Sequence, residues 1–262
     1  MNLDIQGKRA VVSGSTKGIG FAIAKSLATE GAKVIVNGRT QNSVDQALAE
    51  LKSALPSGQF QGVAADLSTR DGVDSLVRQV PEAEIVVNNM GIFEPKPFAE
   101  ITDADWMKFF EAKVMSGVRL SRAYLPGMLK RNWGRIVLIS SESGIQIPAE
   151  MVHYGMTKTA QLAVSRGLAE TVAGTGVTVN SVLPGPTKSE GVEQFVHQLS
   201  GGKPFGAFET EFFKTARPTS LLKRFILPEE VANLVAYVCS PLSAATNGAA
   251  LRVDGGVVRA CF

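Results

Sequence analysis

Histidine and cysteine are nearly absent: His153, His197, Cys239 and Cys261 are all that 262 residues supply. They are too few and too scattered for a metal-ligand cluster or a disulfide framework, so no metal is expected and a reducing compartment suits both thiols. Long apolar runs are missing as well. None approaches the roughly 20 residues that cross a bilayer, and no membrane contact is expected. The first strand pattern begins within ten residues of Met1, which leaves no room for a signal peptide and points to the cytoplasm. Neither sign of charge dominates: 27 Lys and Arg against 24 Asp and Glu give a net charge of +3. With no basic cluster interleaved with exposed aromatics, nucleic acid is not an expected partner. No Ser/Pro-rich linker, like-charge block or short repeat interrupts the chain, and 45% hydrophobic with 19% charged residues is a globular balance. The expectation is therefore one domain over residues 1–262.

Apolar strand patterns near 8–13, 33–37, 59–64, 84–88, 134–140, 177–183 and 250–253 alternate with helical patterns near 18–30, 41–55, 69–79, 103–131, 152–174 and 228–239. Strands that are apolar throughout and alternate with helices predict an α/β fold, a parallel sheet covered on both faces. Ligands then bind beyond the carboxyl ends of the strands, at the switch point. The segment 187–227 breaks the alternation and holds Phe195, Phe205, Phe208, Phe212, Phe213 and Phe225. Long inserts of this kind are often lids.

The run Lys8-Arg-Ala-Val-Val-Ser13 reads as a strand. Gly14-Ser15-Thr16-Lys17-Gly18-Ile19-Gly20 follows, and then an amphipathic stretch from Phe21 that Gly31 stops. A strand, a glycine turn and a helix start make a diphosphate site, because glycines let backbone N–H groups approach the phosphates. The spacing is G-x-x-x-G-x-G, and a plain glycine-rich connection is the alternative for this element alone. The second strand ends in Gly38-Arg39-Thr40. An acid here would accept from a ribose hydroxyl, whereas arginine accommodates a 2′-phosphate, so NADP is the expected dinucleotide.

Tyr154 and Lys158 are four apart, which puts a phenol and an ammonium on one helix face. An ammonium beside a phenol favours the phenolate and tunes the tyrosine for proton transfer near neutral pH. Ser141 ends the apolar run from Arg135 and delivers a hydroxyl at the carboxyl end of a buried strand. These three groups can converge on one carbonyl oxygen. A solvated helix-surface pair is the alternative for Tyr154 and Lys158 by themselves.

Taken together and in this order, the residues resemble the short-chain dehydrogenase/reductase family over essentially the whole chain. Gly14, Gly18 and Gly20 match its cofactor turn, Asp66-Leu67 its adenine-side acid, and Asn88-Asn89-Met90-Gly91 its Asn-Asn-Ala-Gly motif. Ser141, Tyr154 and Lys158 match its catalytic residues; Ser140 competes with Ser141, but only the spacing of thirteen to Tyr154 fits. Pro184-Gly185 follows its sixth strand and Asp254-Gly255-Gly256 its last. The resemblance implies that Ser15, Thr16 and Ile19 line the cofactor with the glycines and that Lys17 joins Arg39 at the 2′-phosphate. It also implies Asp66 at the adenine edge, Asn88 near the adenosine ribose and Thr187 near the carboxamide and pyrophosphate. Met90 stands where the family usually has alanine, and Lys113 where an asparagine usually completes a catalytic tetrad.

The resemblance further implies a Rossmann fold, a doubly wound seven-stranded parallel sheet with helices on both faces, and a homotetramer paired through the helices near 103–131 and 152–174. The implied reaction moves the pro-S hydride of NADPH to a ketone or aldehyde, or runs back from a secondary alcohol. In it Tyr154 is the general acid, Ser141 holds the oxygen, and Lys158 binds nicotinamide-ribose hydroxyls and lowers the tyrosine pKa. Ile92, Phe93, Gln146, Ile147, Met151, Val152 and the lid phenylalanines are candidates for the substrate wall, with core or lid packing as the alternative for each; collectively they suggest an apolar substituent. His153 is expected at a helix start or rim rather than as a base. A 3-oxoacyl thioester reductase is the alternative enzyme, with Lys130-Arg131 as a basic hint for an acyl carrier. An NADP-binding redox sensor with little turnover is the alternative of another class, encouraged by Lys113. That lysine either sets a second cation near Lys158, disfavouring the latter's charged form, or swings outward into solvent.

Overall fold

The computed structural model describes residues 2–189 and 205–261. Phe195, His197 and the middle of the 187–227 segment lie outside them. Seven strands form one sheet in the order β3-β2-β1-β4-β5-β6-β7, every neighbouring pair parallel. They are β1 (Arg9–Val12), β2 (Lys33–Gly38), β3 (Gln59–Ala64), β4 (Ile85–Asn88), β5 (Gly134–Ile139), β6 (Val177–Pro184) and β7 (Ala250–Val253). The order reverses between β1 and β4, which opens the ligand crevice at the carboxyl ends of those two strands. This is the doubly wound, Rossmann-like arrangement.

The apolar strands serve two cores at once. Ala10 and Val12 of β1, Val34 and Val36 of β2, and Ile85 and Val87 of β4 face α1 (Gly18–Thr29) and α8 (Pro228–Val238), where Ile23, Leu27, Val231 and Val235 meet them. The intervening Val11, Ile35 and Val86 point to the other face, against Leu76 of α3 (Arg70–Gln79) and Leu120 and Met128 of α5 (Ser116–Arg131). Alternation of side chains across each strand therefore requires apolar residues at successive positions. Threonines fix two helix starts: Thr40 accepts from the Ser43 N–H to cap α2 (Gln41–Ala54), and Thr69 caps α3 through the Gly72 N–H.

Two helical expectations need correction. The pattern over 103–131 is not one uniform helix: α4 (Asp103–Phe110) and α5 are joined by a π-helical turn over Glu111–Met115. The extra residue frees the Lys113 carbonyl to accept from Gln161 Nε2 of α6 (Val152–Thr171) at 3.0 Å. The α6 helix itself stops at Thr171 rather than 174, short of Gly174, whose φ of +77° is left-handed. Within the insert, α7 (Phe205–Thr215) is the helix of the described part.

Candidate active site

At the β1–α1 turn, Gly14 and Gly18 hold φ of +58° and +56°. A Cβ on Gly20 would lie 2.4 Å from both Asn89 Nδ2 and the Gly14 carbonyl. Two asparagines pin this turn: Asn37, to which the sequence assigns no site role, and Asn89 of the Asn88–Gly91 motif. Asn37 Oδ1 accepts from the Gly14 N–H at 3.2 Å, while its Nδ2 donates to the Val63 and Ala65 carbonyls at 3.1 Å each. Asn89 Nδ2 donates to the carbonyls of Ser13 and Gly14 at 3.2 and 3.0 Å. A polar residue closing an apolar strand was the available signal for Asn37. Inside the turn, Ser15 Oγ donates to the Val12 carbonyl at 2.7 Å, so that hydroxyl serves the turn's own structure.

The surroundings of the turn suit a dinucleotide phosphate. No side chain caps the start of α1, leaving its first N–H groups to a ligand. Lys17 and Arg39 are both exposed at its rim, and a Cβ on Gly38 would come within 2.5 Å of the Thr16 methyl, so the β2 end lies against the turn. Asn88 Oδ1 is buried without a hydrogen-bond partner among the described residues, an acceptor that a ribose hydroxyl would satisfy. Asp66 is exposed and accepts from the Ser68 N–H and hydroxyl at 3.0 and 2.7 Å. Leu67 is wholly buried in the core, so its side chain has no face for a cofactor and only its backbone remains for one. Half-buried Met90 and exposed Gly91 continue from β4. Across the crevice, Thr187 Oγ1 donates to the Gly185 carbonyl at 2.9 Å, and a Cβ on Gly185 would lie 2.5 Å from the Asp254 carbonyl. Pro184 ends β6 beside them.

Ser141 follows β5, and Tyr154 and Lys158 lie one turn apart on α6. Ser141 lies near enough to the Tyr154 phenol to pull its pKa down, and the Ser143 N–H donates to Ser141 Oγ at 3.1 Å. Lys158 Nζ donates to the Ile139 carbonyl at 2.7 Å and stands 5.7 Å from the Tyr154 ring centroid. Ser140 Oγ donates to the Lys158 carbonyl at 2.8 Å, tying α6 to the strand end. Lys113 is turned inward: it is 1% exposed, with Nζ 4.6 Å from the Tyr154 ring centroid. Burial pushes the Lys113 amine well below its ordinary value, and the Lys158 charge adds to the push. Burial likewise lowers Lys158 to about 7, against the pull of Glu142.

The expected lowering of the Tyr154 pKa is outweighed. Burial pushes the phenol upward and the Glu142 charge pushes the same way, while Ser141 and Arg217 pull against them. Glu142 and Arg217 were not singled out in the sequence. Ser141 donates its proton to Glu142 Oε2, which also accepts from the Ser143 N–H at 2.8 Å. Arg217 Nε donates to Glu142 Oε1 at 3.0 Å, and its Nη1 reaches Glu150 at 3.3 Å. No periodic pattern marks either residue.

At the rim, Phe93 and Ile147 are each 44% exposed. Ile92, Gln146, Met151 and Val152 are half-buried, and Ile147 Cγ2 would lie 2.6 Å from a Cβ on Gly155, next to Tyr154. The lid phenylalanines behave differently. Phe212 stacks on Phe225 at 5.0 Å and meets Phe213 at 5.1 Å, with Phe205 against Phe225 at 5.6 Å and Phe208 against Phe212 at 6.0 Å. They hold α7 to the following loop, and buried Phe213 and Phe225 offer no substrate surface. His153 packs on Phe109 at 4.0 Å, and burial lowers its pKa.

The family profile described as enoyl-(acyl carrier protein) reductase matches residues 14–258. Among curated proteins, the chain is 50% identical to the uncharacterized oxidoreductase YvaG of Bacillus subtilis over 100% of both chains. It is 31% identical to the 3-oxoacyl-[acyl-carrier-protein] reductase FabG of Aquifex aeolicus, over 98% of this chain and 100% of that one. Among solved structures, L-sorbose reductase from Gluconobacter frateurii, complexed with NADPH and L-sorbose, superposes with a TM-score of 0.92 at 32% identity, over 99% of this chain and 100% of that one.

Proposed function

Because this chain belongs to the short-chain dehydrogenase/reductase family, we propose that it reduces a ketone or aldehyde with NADPH, or oxidises the matching secondary alcohol with NADP+. The observation that carries the reading is the placement of Ser141 just past β5 beside Tyr154 and Lys158, which lie one turn apart on α6 with Lys158 Nζ 5.7 Å from the Tyr154 ring centroid. Bound at the glycine turn, NADPH supplies the hydride that the carbonyl carbon takes up. Tyr154 gives its phenolic proton to the carbonyl oxygen, and Ser141 hydrogen-bonds that oxygen as charge grows on it. Lys158 steadies the tyrosinate left behind and holds ribose hydroxyls. A phenol pushed upward by burial keeps its proton at neutral pH, which suits reduction there and alcohol oxidation at higher pH.

The preference for NADP rests on Lys17 and Arg39, the exposed cations flanking the turn, and on the NADPH named with the sorbose reductase structure. The whole chain acts as one catalytic unit with the 187–227 segment as its lid. It works in the cytoplasm as a homotetramer; its unpaired cysteines suit the compartment, and no described helix is long and apolar enough to cross a membrane. A 3-oxoacyl thioester is the second substrate reading, favoured by the name of the Aquifex relative. The basic hint for it is weakened, because Arg131 pairs with Glu82 at 3.7 Å and donates to the Ala83 carbonyl at 2.8 Å.

The test is Tyr154→Phe, assayed with NADPH over a panel of carbonyl compounds. Turnover should fall about 10²–10⁴-fold, the usual worth of a general acid, while NADPH binding followed by fluorescence is retained. More than a tenth of the wild-type kcat would remove Tyr154 from this role. NADPH binding without turnover of any carbonyl by the wild type would favour the redox sensor.

A further inference from the structure

The mechanism above leaves the Glu142 carboxylate unused, although it is 4% exposed and sits beside the reacting groups. Both of its oxygens are engaged: Oε1 takes the Arg217 Nε–H at 3.0 Å, and Oε2 takes the Ser143 N–H at 2.8 Å together with the Ser141 hydroxyl. A serine has one proton to give. While Ser141 gives it to Glu142, it cannot give it to a substrate oxygen. Turning that proton toward a substrate carbonyl strips Oε2 of a donor, and a buried carboxylate left short of a partner is costly.

Resting on the carbonyl-reductase reading, we propose that Glu142 is a specificity-determining residue that selects ketones carrying a hydroxyl on the carbon next to the carbonyl. The substrate hydroxyl donates to Glu142 Oε2 and takes the place Ser141 vacates, while Ser141 donates to the carbonyl oxygen. Two donors and two acceptors are satisfied before and after. The spacing follows from the same bonds. The carbonyl oxygen must lie within reach of Ser141 and Tyr154, and Oε2 is one hydrogen bond from Ser141, so a hydroxyl on the neighbouring carbon, about 3 Å from the carbonyl oxygen, can reach Oε2 at the same time. A carboxylate at that place would be repelled by Glu142, and because Arg217 already balances the Glu142 charge a neutral hydroxyl donor suits it. The reduction keeps its balance: the carbonyl carbon gains a hydride, its oxygen gains the Tyr154 proton, and the product is a vicinal diol with NADP+.

The test compares 1-hydroxy-2-hexanone with 2-heptanone, which have equal numbers of heavy atoms, as substrates with NADPH. The wild type should favour the hydroxyketone in kcat/KM by about 30-fold or more, because a site built to bond a hydroxyl rejects the analogue without it. Glu142→Gln, which keeps the side-chain shape, and Glu142→Ala should both bring that ratio below about threefold. A second readout needs no turnover. In Tyr154→Phe with NADPH bound, calorimetry should find the hydroxyketone held about tenfold more tightly or better, and adding Glu142→Gln should erase the difference. Equal use of the two ketones by the wild type, or a ratio that survives both substitutions, overturns the role of Glu142 and leaves the reductase reading standing. No NADPH oxidation with either ketone, or with any member of the carbonyl panel, overturns both.

Discussion

Lys113 shows how one side chain can load a catalytic centre. Its stem comes in through the π turn and its amine rests on the Tyr154 ring, with 1% of the residue exposed. Burial lowers both Lys113 and Lys158, the latter to about 7 from 10.5. A lysine whose folded value lies below its unfolded one binds its proton more weakly in the fold. From about 7 to 10.5 unfolding therefore takes up protons, and rising pH stabilises the folded chain. Lys113→Asn removes one of the two contributors, so thermal unfolding followed from pH 7 to 10 should show a shallower rise of Tm than the wild type. The same substitution takes a buried amine away from the face of the Tyr154 ring, and kcat should rise about threefold or more with the NADPH KM nearly unchanged. Identical kcat across pH 6 to 9 would make the lysine a harmless replacement.

At the scale of the element, the glycine turn is the most constrained piece of backbone in the site. Gly20→Ala sets a Cβ 2.4 Å from the Gly14 carbonyl and from Asn89 Nδ2, so the turn must open or lose the Asn89 clamp. NADPH binding, measured by fluorescence titration, should weaken about tenfold or more, as loss of a charge-assisted phosphate contact would produce. Unchanged affinity would mean the dinucleotide does not use this turn. Much of this element was legible from the sequence, because glycine punctuation and apolar runs are local signals. So were all seven strands, within about two residues at each end. The π turn was not, since shifting a helical register by one residue over Glu111–Met115 leaves the apolar pattern of 103–131 readable as one helix. Nor was the Glu142–Arg217 pair, whose members are 75 residues apart and meet only in the folded chain. The lid phenylalanines looked like a substrate wall because composition cannot tell rings that face a ligand from rings that face one another.

At the scale of the molecule, α5 and α6 keep polar atoms shielded from water without partners among the described residues: Arg119 Nη1, Gln161 Oε1 and Ser165 Oγ. Half-buried Leu125, Val164 and Leu168 lie on the same two helices. A second chain laid against these apolar side chains would cover them. Sedimentation at micromolar concentration should give four times the 27.8 kDa chain mass, and a monomeric mass would refute the assembly. The strand order has a further consequence, for how the chain is made. Since β1 lies between β2 and β4, the Ser13 N–H finds its acceptor only in Val87, and the carbonyls of Ser13 and Gly14 find their clamp only in Asn89. A chain leaving the ribosome has spelled out the whole glycine turn by Gly20, yet the turn stays unfinished until residue 89 is free to dock. A nascent chain halted before that point holds half a sheet, and added NADPH cannot rescue it.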